Sequence, residues 1–171
     1  SEATTGLFKD FNFTEEDRYE LRIASLLHDA GKVTTPVHVV DKATKLETIC
    51  DRINTVKTRF EVLKRDAEIA YLKALTRKDA DLVALETDFQ ARLIQFADDQ
   101  AFIESVNFGG EFMDPEKIER IQQIEKYRWT NADGVETNFL TEEEVYNLCI
   151  PKGTLTPEER EIINNHVVIT I

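Results

Sequence analysis

The residues best able to do chemistry in this sequence stand together in the run Leu26-Leu27-His28-Asp29-Ala30-Gly31-Lys32. An imidazole beside a carboxylate suits a divalent transition metal, and the two oxygens of Asp29 allow it to bridge a pair of ions. The C-terminal end of a helix carries partial negative charge, which favours a nearby cation. Lys32 follows His28 by four residues, close to the same helical face, where its ammonium can hold a phosphate oxygen beside such metals. A plainer reading makes His28 a hydrogen-bonded core histidine and Asp29 an ordinary residue of the helix end. An acid at that end opposes the macrodipole and calls for a compensating cation, which favours the metal-ligand reading. His166 lies among Ile162, Ile163 and Val167 and on spacing alone is as much a buried-face histidine as a ligand, while His38, two residues after Pro36, is expected at the surface.

The elements that must position these residues are helical. Thr14, answered three residues later by Asp17, opens a first helix that is predicted to run to about Ala30, with Leu21, Ala24, Leu27 and His28 on one face. Gly31 stands where a left-handed helix-terminating residue is expected. Pro36 makes the β-branched stretch Val33 to Val40 an extended loop or a turn. From Leu46 through Ile49, Ile53, Val56, Phe60, Leu63, Ala67, Ala70 and Ala74, apolar residues follow steps of three and four, the spacing of a long helix. Thr76 to Asp79 interrupts it, with Asp79 as the expected cap, and a second seam follows through Leu82, Leu85, Phe89, Leu93, Phe96 and Ile103. Two long helices with a short connection predict an antiparallel hairpin over 46–104. Its seams either pack on each other within one chain or form a dimerisation arm, in which case Phe60→Asp dissociates a two-chain assembly.

Beyond the hairpin, Asn107, Gly109 and Gly110 mark a loop, and Asp114 with Pro115 starts a helix carrying Ile118, Ile121, Ile124 and Trp129. Asn131 to Asn138 is turn-rich. Thr141 with Glu144 is a capping box for a short helix ending near Cys149, and Thr156, Pro157 and Glu159 open the last helix. No strand is predicted, and the fold class is all-α.

Composition limits the function. Against 33 acidic residues stand 21 basic ones, a net charge of −12, which opposes contact with a nucleic-acid backbone or an anionic membrane surface. Cys50 and Cys149 lie far apart with no paired spacing, so a disulfide framework and a zinc finger are both unexpected and a reducing, cytoplasmic setting is predicted. There is no apolar run long enough to span a membrane and no signal peptide pattern. Residues 1–5 are expected to be a tag remnant or a frayed terminus, and Val167 to Ile171 stops while still patterned as helix, which is expected of a piece of something longer.

The run LLHDAGKVTTP resembles the signature of HD-domain metal-dependent phosphohydrolases. Its continuation HVVDKATKLETICDRINTVKTRFEVLKRDAE, and the later YNLCIPKGTLTPEEREIINNHVVIT, are similar to a long-insert branch of bacterial HD-GYP proteins. The resemblance implies a single partial HD domain over 6–171, an HD-domain-like helical bundle with the hairpin as an insertion. It implies that His28, Asp29 and His166 are metal ligands, that Asp29 and Lys32 are catalytic with Lys32 on the phosphate, and that the ions are divalent transition metals, iron or manganese. The implied reaction is hydrolysis of cyclic di-GMP by a metal-bridged hydroxide, in a signalling protein with an N-terminal sensory domain and a homodimeric assembly. Members of the group resemble one another in an additional histidine before the HD pair and, later, in a paired histidine, a Gly-Tyr-Pro loop and a final aspartate. None of these is in the sequence, whose three histidines are His28, His38 and His166. A two-metal site takes about six or more protein ligands, against three here. The competing expectations are a catalytically inactive signalling or dimerisation module of HD type and a nucleotide phosphohydrolase.

Overall fold

A computed structural model describes residues 13–110 and 112–166. The chain divides into two compact units, residues 1–40 with 158–171, and residues 41–157. The expectations for residues 1–5 and for Val167 to Ile171 lie outside the described residues.

In the first unit, α1 (Glu15–Leu27) starts as its sequence requires. The Thr14 hydroxyl accepts from the Asp17 N–H while Asp17 accepts from the Thr14 N–H, and Glu15, Glu16 and Asp17 face the positive end of the helix dipole. The helix ends earlier than expected, with His28 as its C-cap. Asp29, at φ −107° and ψ 8°, leaves the helical region and begins a 3₁₀ turn, Ala30–Thr34. Gly31 is buried inside that turn and is not among the positive-φ glycines, so its role is not that of a left-handed helix terminator. The stretch expected to be an extended loop or a turn ends in a one-turn helix, α2 (Val37–Val40), because the Pro36 carbonyl accepts from both the Val39 and Val40 N–H groups. Proline lacks a donor but is an unhindered first residue of a helical turn. His38 lies on α2 and is exposed.

The second unit holds the core. Two long helices, α3 (Ile53–Leu75) and α4 (Leu82–Asn107), pack along the predicted seams, with Val56, Phe60, Leu63 and Ile103 buried and the Tyr71 and Phe89 rings stacked at 4.7 Å. Phe60 is fully buried against Phe139, ring centroids 4.5 Å apart, so Phe60→Asp would break this core and would not report on assembly. The cap of α4 is Asp81, whose carboxylate accepts from the Val83 and Ala84 N–H groups, and not Asp79.

The first seam does not begin as helix at Leu46. Carboxylates intervene: Glu47 accepts from the Ala43 and Thr44 N–H groups, and Asp51 from the Thr44 hydroxyl, the Ile53 N–H and the Asn107 amide. Such local bonds offer the backbone an alternative to helix. The result is a tight turn that buries Leu46 and leaves Ile49 94% exposed.

α5 (Pro115–Glu125) follows its cap and proline, but stops before Trp129. Trp129 instead lies on β1 (Arg128–Thr130), which pairs antiparallel with β2 (Glu136–Asn138), Trp129 opposite Thr137. The absence of strands is therefore corrected, although the chain remains mostly helical. Asn131 shapes the turn, its side-chain oxygen accepting from the Asp133 and Val135 N–H groups, with Gly134 at φ 77°.

α6 (Glu142–Leu148) carries the expected capping box, and Glu144 also takes a two-pronged ion pair from Arg59 of α3. Lys45, 1% exposed, closes the other end of α6 by donating to the Leu148 and Ile150 carbonyls at 2.8 and 2.9 Å. That pairing suits the negative end of a helix. The last helix, α7 (Pro157–Asn164), opens at the predicted proline.

Candidate metal centre

His28 and His166 are held by the same device. The Nδ1 of His28 lies 2.7 Å from the Ser25 carbonyl, and the Nδ1 of His166 contacts the Ile163 carbonyl, each three residues back along the chain. A carbonyl can only accept, so Nδ1 carries the proton in both rings and Nε2 is left to face outward from that bond. Both Nε2 atoms face Asp29, at 3.3 Å from its Oδ2 for His28 and 3.6 Å from its Oδ1 for His166. A neutral Nε2 and a carboxylate oxygen are both acceptors, and two acceptors face each other stably only with a cation between them, a proton or a metal ion. The arrangement is half-open to solvent: His166 is 13% exposed and His28 68%.

Lys32 belongs to the same cluster. Its ammonium donates to Asp29 Oδ2 at 2.7 Å. This bond holds the Asp29 carboxyl below the usual carboxylate range, against a smaller opposing effect of desolvation. The compensating cation that the sequence demanded for an acid at a helix end is, in this structure, Lys32.

All four residues named from sequence thus meet within the first unit, although His166 is 137 positions from Asp29 in the chain. Sequence reasoning missed the carbonyls that orient the rings. The signal was the repeated three-residue spacing, Ser25 to His28 and Ile163 to His166, at two helix ends.

The donor types fit a divalent transition metal, two imidazole nitrogens and a carboxylate, and carbonyl-bound Nδ1 atoms are the usual outer support of metal-ligating histidines. The number of donors is smaller than a complete site needs. Among the described residues no group of three or more His, Cys, Asp and Glu side chains is placed to hold one ion. The two Nε2 atoms address opposite oxygens of Asp29. Two imidazoles and one carboxylate would be the contribution of this chain to a metal centre.

The chain matches no family model, no curated protein and no solved structure. The cluster therefore stands on its own geometry and on the motif resemblance.

A second polar cluster, in the other unit, is structural. Asp99, 1% exposed, receives Arg120 Nε and Nη2 on one oxygen and the Tyr127 hydroxyl and Gln95 amide on the other. Every lone-pair direction of Asp99 is used, leaving none for a ligand. Burial, with the Asp99 bond second, pushes the Tyr127 hydroxyl far above its ordinary range, which removes it as an acid or base near neutrality.

Proposed function

We propose that the chain is the part of a bacterial metal-dependent phosphohydrolase that carries its first metal ligands, of the HD-GYP type and acting on cyclic di-GMP. The observation that supports this best is the pair of imidazoles presenting Nε2 to opposite oxygens of Asp29 with both Nδ1 atoms fixed on carbonyls. In this reading His28, Asp29 and His166 would hold divalent ions, iron or manganese. Such ions lower the pKa of a water and polarise a phosphoryl oxygen when bound. Asp29, His28 and the more enclosed His166 would supply the ligands, and Lys32 would neutralise charge that develops on the phosphate.

The experiment is metal content and cyclic di-GMP hydrolysis. Manganese or iron bound to the chain, or to a version extended at both ends, should be lost on Asp29→Ala, and hydrolysis by the extended protein should fall by at least a hundredfold. Unchanged metal content in Asp29→Ala would sink the assignment.

A second reading, a catalytically inactive HD-type signalling module, is supported by the Lys32–Asp29 contact, which balances the carboxylate charge with no metal. Absence of metal from both the short and the extended protein would favour it.

A further inference from the structure

We infer that the cavity at the C-terminal end of α4 is a binding site for a small arylcarboxylate, a single aromatic ring bearing one carboxylate. The cavity lies wholly within residues 41–157, where the chain leaves α4 and approaches α5, and its volume is about 220 Å³. A dry cavity of about 150 Å³ accepts a benzene ring, so a ring with one substituent is the size that fits. Phe108, Phe112 and Met113 supply apolar wall, and the two phenyl rings are 72% and 65% exposed. Backbone bonds hold this wall in place. The Lys45 N–H donates to the Asn107 carbonyl at 2.8 Å, the Gly109 N–H to Val106 at 3.2 Å and the Met113 N–H to Pro151 at 3.1 Å. An apolar, aromatic-walled recess with a few polar groups is the usual form of a small-molecule site.

Charge selects the other end of the ligand. Clefts elsewhere on the chain are edged by carboxylates, Glu119, Asp88 and Glu142 among them. Here the described lining residues include Lys45 and Lys117 and no acid, in a chain whose net charge is −12. Lys45 is 1% exposed. An ammonium has three N–H donors and thioether sulfur is a weak acceptor. Two of the Lys45 donors serve the Leu148 and Ile150 carbonyls, and the contact left for the third is the Met113 sulfur, at 4.0 Å. A carboxylate oxygen reaching that proton replaces a weak acceptor by a charge-assisted one. Burial, the largest cause, lowers the Lys45 pKa, and the charge of Lys117 acts in the same direction. An anion in the cavity relieves both.

Met113 is the single methionine of the sequence, so the NMR signal of its isotope-labelled methyl group reports on this cavity. Benzoate added to the full chain at constant ionic strength should move that signal saturably, with a midpoint of about 1 mM for so small a ligand. Benzyl alcohol, the same ring without the charge, should need about tenfold more, the worth of one charge-assisted bond. Acetate and inorganic phosphate should give no saturable shift. Lys117→Gln should weaken benzoate severalfold and leave benzyl alcohol where it was, a contrast that a general loss of structure does not produce. No saturable shift with benzoate, equal midpoints for benzoate and benzyl alcohol, saturation by acetate or phosphate at the benzoate midpoint, or a Lys117→Gln variant that binds benzoate unchanged would each overturn the inference.

Discussion

Asp29 shows how much one residue can be asked to do at a break between two helical segments. It follows the C-cap of α1, starts a 3₁₀ turn without capping it, and spends its two oxygens on side chains instead of on the backbone. Its position therefore depends on α1 being formed. Asp17 provides a pH test of that dependence. The Thr14 hydroxyl, and then the Thr14 N–H, hold the Asp17 carboxyl below its ordinary value of 3.8. A carboxyl lowered in the folded state stabilises that state above the ordinary value, and the contribution is lost as pH falls through 3.8 toward the folded value. The helical signal of α1, followed by NMR of its amides, should thus weaken with acid below that point in the wild type. In Asp17→Asn it should start lower and vary less over the same window. At this scale the candidate ligands were legible in the sequence because His28, Asp29 and Lys32 are adjacent. His166 was legible only through resemblance, since spacing left it equally a core residue.

At the scale of elements, caps and seams were the readable features. Thr14 with Asp17, Thr141 with Glu144, and the Asp114-Pro115 and Thr156-Pro157 starts all declared helices that are present. What was not readable was competition from side chains further away. Glu47 and Asp51 convert the expected first turns of the long helix into a non-helical bend, and one of the Asp51 partners is Asn107, 56 residues distant. The strands were hidden for a different reason. Three residues each is too short for alternation to show, and Asn131 with Gly134 signalled a turn without saying what it joined. Gly109 is a comparable long-range constraint: its φ is +67°, and a Cβ there would come within 2.7 Å of the Gly153 carbonyl oxygen. Gly109→Ala should destabilise the second unit by about 1–2 kcal/mol from the left-handed backbone alone, and by more once Gly153 is displaced. A urea unfolding midpoint that does not move would refute that role.

For the whole molecule, the contrast among the described residues lies between a unit that holds the buried apolar cluster and an exposed α1. The buried cluster from Leu46 to Leu148 belongs entirely to residues 41–157. In α1 no residue is buried, and Leu21, Leu26 and Leu27 are more than half exposed. Local stability follows buried apolar contact. Amides of Val56, Phe60 and Ile103 should exchange only through global unfolding, and those of α1 orders of magnitude faster. Equal protection in hydrogen exchange would show that α1 is covered in solution. Among the described residues, no helix is long and apolar enough to cross a membrane. The second unit also carries a spectroscopic probe. Trp129 is the single tryptophan of the sequence, its indole N–H tied to the Asn138 carbonyl and its ring 5.5 Å from the Arg59 guanidinium. Its fluorescence therefore reports on the hairpin strands and α3, and an emission change on adding manganese would register an effect of the ion on the unit that holds Trp129.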